Sequence, residues 1–170
     1  MHWTRIWTLF GVVLGVAALF TKGATSDGEE LLPALSQAPD SGFPDGIPTI
    51  WGGLATYAQV IVVIAILAVI VFAFMPPLGK PEANTYALAT VLIGVALLIY
   101  TMIEFMGARD DAQALADGFG QAAAAGAIPA AFTVTVGYGF YLLMAATAFV
   151  AIGGLVMIMG VGGEEETAEA

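Results

Sequence analysis

The stretch LATYAQVIVVIAILAVIVFAFM, Leu54 to Met75, contains no charged residue and only three polar ones, Thr56, Tyr57 and Gln59, all near its start. As an α-helix it rises ~33 Å, slightly more than the ~30 Å hydrocarbon core of a bilayer. In hydrocarbon no water is present to satisfy backbone N–H and C=O groups, so such a run must pair them within itself and is read as a spanning helix. Three further runs share its character, at 3–20, 86–106 and 130–160. Nearly every charge lies between or after them.

Composition agrees with this reading. The chain of 170 residues is 59% hydrophobic with a mean hydropathy of +0.91, well beyond what a soluble core of this size requires. The expected fold is an all-α membrane protein with four transmembrane helices in an up-down bundle. Residues 1–161 form that single domain. Its outer loops are 21–53 and 107–129, and 162–170 is a disordered acidic cytoplasmic tail. The head of the first run, with Trp3, Trp7 and Arg5, suits a retained signal anchor better than a cleaved signal peptide, since no small-residue cleavage site follows Phe20.

Basic residues are too few to set orientation by count. Arg5 and Lys80 fall on one side, Lys22 and Arg109 on the other. The short head carrying Arg5 resists translocation, whereas 21–53 is long and acidic, so both termini are expected in the cytoplasm and both loops outside the plasma membrane. Pro76, Pro77 and Pro81 make a tight link between the second and third helices. In the first outer loop four prolines forbid a long helix, though Gly28–Gln37 permits a short one with Leu31, Leu32 and Leu35 on one face. Those leucines, with Phe43, Ile47, Ile50 and Trp51, should fold the loop back on the bundle. In the second, a surface helix is expected over Asp110–Phe119, followed by a bend at Pro129.

Fourteen acidic residues against four basic ones give a net charge of −10. Such a surface repels nucleic acid and anionic headgroups, and an acid-rich, lysine-poor exterior suits a halophilic setting. With no cysteine and one histidine, His2, thiol catalysis, disulfides and paired-histidine haem ligation fall away. No nucleophile, base and orienter occur together and no phosphate-binding glycine loop is present, so neither an enzyme nor a cofactor or metal site is expected.

The most specific string is Thr135-Val136-Gly137-Tyr138-Gly139. It resembles the potassium-channel filter, in which four such loops replace an ion's hydration shell with backbone carbonyls. The resemblance implies an oligomeric cation conductor with these five residues on the ion pathway. The flanks depart from the family's pattern, because Phe140-Tyr141-Leu142-Leu143 follows at once where an aspartate and a polar stretch belong. The second candidate is Glu104, the one acid set against an apolar run. As a cation or proton acceptor it would act with Asp110 and Asp111; otherwise it snorkels to water or pairs with Arg109. Tyr86, Thr90, Gly94, Leu97, Thr101 and Glu104 recur at helical spacing and should face the bundle. Gly11 and Gly15, and Gly94, Gly153 and Gly154, are positions where helices can approach closely. The leading expectation is a non-enzymatic accessory or assembly component working through its helices and outer loops. Its partners would be the lipid bilayer and other membrane proteins or further copies of itself. The alternative is the cation-transport protein.

Overall fold

The structure, a computed structural model, describes residues 3–39, 41–74 and 81–168. It is mostly helical. In chain order the elements are α1 (Trp3–Leu19), β1 (Ala24–Ser26), a 3-10 turn (Glu29–Leu31), α2 (Leu32–Leu35), α3 (Ile50–Gly53), α4 (Thr56–Phe74), α5 (Pro81–Ala124), β2 (Val134–Val136) and α6 (Gly139–Ala168). Among the described residues three helices are long and apolar enough to cross a membrane: α4, α5 within Asn84–Ala124, and α6 over Gly139–Met159. Of these, α5 carries its apolar part first and its charges later. The fourth apolar run forms the 17-residue α1. The link at 75–80 lies outside the described residues.

α6 is the central helix, packed along α1 on one side and α5 on the other. Small residues allow this. A Cβ on Gly11 would stand 2.7 Å from the Ala146 carbonyl oxygen, one on Gly94 would stand 2.6 Å from the Ala151 nitrogen, and one on Gly154 would stand 2.9 Å from the Val91 nitrogen. Gly15 faces Ala146, and Gly153 faces Thr8. Such close backbone approach gives extensive van der Waals contact between the helices, the kind of packing that holds apolar helices together where the hydrophobic effect is weak. Buried Thr90, Thr101 and Thr147 satisfy their hydroxyls within their own helices, donating to the carbonyls of Tyr86, Leu97 and Leu143. α4 buries a single stripe, Ala58, Val62, Val69 and Ala73, and turns Ile61, Ile64, Leu67 and Val71 outward.

Three features differ from the sequence expectation. First, the third helix does not end near Met106, so the expected second outer loop 107–129 with its separate surface helix is replaced by one continuous helix of 44 residues. Alanine-rich sequence after Gly107 favours helix strongly enough to carry it past four charges and several glycines. What stops it is Gly126, at φ +74°. There the Gly126 N–H donates to the Ala123 carbonyl and the Ala127 N–H to that of Ala122, the paired bonds of a Schellman cap. Taking Met106 as the edge of the apolar stretch, the last eighteen residues of α5 stand ~27 Å beyond it.

Second, the final helix begins at Gly139 rather than at 130, and the β-branched Val134-Thr135-Val136 forms a strand instead of helix. The fold is therefore not purely α. β2 pairs antiparallel with β1, placing Ala24 opposite Val136 and Thr25 opposite Thr135. The other edge of this region is paired too: the Gly23 N–H donates to the Pro48 carbonyl and the Ile50 N–H to that of Thr21. Third, α6 continues to Ala168, whereas 162–170 is expected to be disordered; glutamate and alanine at 164–166 and 168 are good helix formers. Residues 169–170 lie outside the described residues.

Beyond the bundle, the first loop, the projecting half of α5 and residues 125–138 fold together as a cap. Phe119, Leu32 and Ile128 form its buried centre, surrounded by Leu31, Leu35, Phe43, Ile47 and Phe132. Phe43 and Phe132 both lie against the Phe119 ring, with centroids 5.4 and 5.5 Å away. The short helix expected in Gly28–Gln37 is present as the 3-10 turn and α2, with Pro33 in its first turn. Thr49 caps α3, its hydroxyl accepting from the Gly52 N–H at 3.0 Å.

Candidate functional site

Cap and bundle meet in a second apolar cluster, where the cap-side ends of the helices converge on Leu19, Ile50, Val62 and Phe140. Phe105 of α5 stacks edge-on against Phe140 and Tyr141 at the start of α6, with centroids 6.1 and 5.4 Å away. This level marks the boundary between the two halves, and Glu104 lies on it. Below it, inside the bundle, is an almost wholly apolar cavity of about 60 Å³, bordered by α1, α4, α5 and α6. Above it is a larger cleft of about 510 Å³, roofed by residues 41–54 and floored by α5. Ile50, Leu54, Glu104 and Phe140 line both spaces.

Glu104 is half-buried. Its carboxylate interacts with the Tyr100 hydroxyl, one turn earlier on the same helix. No ion pair joins it to Arg109, which is five residues along, about 140° round the helix, and exposed. Asp110 and Asp111 are exposed as well. Only Asp111 lines the cleft with Glu104. Seven residues are two helical turns, so these two carboxylates share one stripe of α5 with Ala108 between them. A helix break at Gly107 would leave the two acids on separate elements; the continuous α5 aligns them. Of the residues that line the cleft from the first loop, Phe43 and Ile47 are among those expected to fold that loop back on the bundle, while Pro48 carries no signal of its own.

The five filter-like residues go elsewhere. Thr135 and Val136 belong to β2, and the Thr135 hydroxyl lies 3.0 Å from that of Thr25. The Gly137 N–H donates to the Gly23 carbonyl at 2.9 Å, and a Cβ there would collide with the Lys22 carbonyl. Tyr138 is exposed, and Gly139 starts α6 against Thr21. Gly137 is thus needed for close backbone approach within the cap. None of the five lines the cleft that Glu104 borders. Lys22 forms an ion pair with Glu29, Nζ to Oε1 at 2.6 Å. Among the described residues no group of three His, Asp or Glu side chains converges as a metal site.

No family model matches the chain, and neither a curated protein nor a solved structure does.

Proposed function

We propose that the chain is a non-enzymatic integral membrane component that works through protein contacts, as an accessory or assembly subunit. In this reading α1, α4, the apolar part of α5 and α6 cross the plasma membrane as an up-down bundle. Both termini lie in the cytoplasm and the cap outside. The observation that carries the reading is the unbroken α5, which joins bundle and cap as one rigid rod. A cap with its own packed core, fixed to its anchor, presents a preorganised surface at little entropic cost. In this reading the apolar side of α4 away from the bundle faces lipid, where a membrane partner can pack in its place.

Site-specific photocrosslinking in intact cells tests this. Probes at Gln113 and Asp117, exposed on the cap, and at Leu67 on α4 are expected to give discrete protein adducts. Reversing the cap's charge with Asp117→Lys should abolish those from the Gln113 probe. Lipid adducts alone from every position would contradict the proposal.

A cation pathway is the second reading, supported by the place of Glu104 between cleft and cavity. A filter at 135–139 would need its carbonyls turned to a common axis, while Val134–Val136 here pairs with Ala24–Ser26. Gly137→Ala is a poor probe, because it disturbs that pairing. Cation flux into vesicles that is lost in Glu104→Gln would favour this reading, and no flux in either protein would dismiss it.

A further inference from the structure

The cleft between residues 41–54 and α5 falls within the ~300–1,000 Å³ typical of small-molecule sites, and its walls are largely apolar. Its charges are all of one sign. Glu104 and Asp111 line it, and no lysine or arginine does. The two carboxylates lie on one stripe of α5, two turns apart, so the helix separates them by ~10 Å along its axis. Between them on α5 lie Gly107 and Ala108, and Ile47 and Pro48 of the 41–54 segment line the same cleft. One small cation cannot meet both acids across that distance, and a purely apolar molecule would leave both carboxylates without a counter-charge. An elongated molecule with a cationic group at each end and methylenes between them matches both the charge and the spacing.

We propose that this cleft binds a linear aliphatic diamine or polyamine. One ammonium group pairs with Glu104 at the inner end and another with Asp111 at the rim, and the chain between them lies over Ala108 beneath Ile47 and Pro48. The site is distinct from the protein-contact surface proposed above and does not depend on it. Both pairs are partly solvated, so affinity is modest and falls as salt screens the charges.

The test is calorimetric titration of the full chain in nanodiscs of zwitterionic lipid at low ionic strength, with empty discs subtracted. The probes are terminal diaminooctane, diaminobutane and octylamine. Diaminooctane is expected to bind saturably, at least about fivefold tighter than octylamine, which has one charge, and than diaminobutane, which is too short. Glu104→Gln and Asp111→Asn should each weaken it about fivefold, and Asp117→Asn, on α5 but outside the cleft, should leave it unchanged. Asp111 is exposed, so its variant keeps the fold, which an unchanged thermal transition without ligand will verify. Octylamine binding as tightly as diaminooctane, unaltered binding in both cleft variants, or no saturable diamine binding would each overturn the proposal.

Discussion

The bundle and the cap are built from one chain and share α5, yet different forces hold them. In the membrane setting proposed above, lipid removes the hydrophobic advantage of burial from the bundle, and close approach at Gly11, Gly94, Gly153 and Gly154 supplies the contact. In the cap, water restores that advantage, and large side chains dominate: Phe119 and Leu32 are wholly buried. The same helix is therefore read differently along its length. Its first half needs small residues facing its neighbours, and its second half needs phenylalanine and leucine.

Substitutions can break this contrast at either end. The largest effect is expected from Phe119→Ala, which empties the centre of the cap and should cost it ~3–5 kcal/mol. Hydrogen exchange should then rise across 24–47 and 115–136 while α4 and the inner half of α6 stay protected. Collapse of protection along the whole chain would show instead that cap and bundle fold as one unit. In the bundle, Gly94→Leu forces α5 away from Ala151 and should cost ~1–3 kcal/mol, seen as earlier unfolding in denaturing detergent. Phe119→Leu, an apolar exchange in water, should be milder, and a reversed order would undo the distinction.

At the end of α5, Gly126→Ala places a side chain at φ +74° and should cost ~1 kcal/mol. Fraying confined to 120–128 is the expected signature. The smallest effect belongs to Lys22→Ala, which removes the exposed pair with Glu29. It should change stability by less than ~1 kcal/mol, and only at low salt. A larger loss would mean that the ribbon between 22–26 and 134–137 depends on this charge rather than on its backbone bonds.

The sequence displays the bundle far better than the cap. Uncharged runs at 54–75 and 86–103 announce helices because hydrocarbon leaves the backbone no other choice. The continuation of α5 was hidden by Gly107, Arg109 and Asp110, which look like loop residues, although the alanines after them carry the helix on. Gly107, Gly118 and Gly120 sit inside the helix, while Gly126 ends it, and no local pattern separates them before the cap geometry is known. The ribbon was harder still. Its two strands are three residues each and more than a hundred residues apart, so neither carries a pairing signal of its own. Val134-Thr135-Val136 has strong strand preference, but it borders an apolar run and reads as part of a span. Glu104 stands out as an acid beside such a run with Asp110 and Asp111 as its candidate partners, and only the continuous α5 separates them, placing Asp111 and not Asp110 on the cleft with it.

The central claim is that α5 passes from hydrocarbon into water without a break, and cysteine labelling tests it most directly because the chain has no cysteine of its own. Single cysteines placed at Leu92, Ile99, Gln113 and Asp117, all exposed on α5, are treated in intact cells with a membrane-impermeant maleimide. The account predicts prompt labelling at 113 and 117 and none at 92 and 99, with spin labels at 113 and 117 moving as rigidly as a buried helix. Equal labelling at all four positions, or spin labels at 113 and 117 moving as freely as those of a loop, would contradict it.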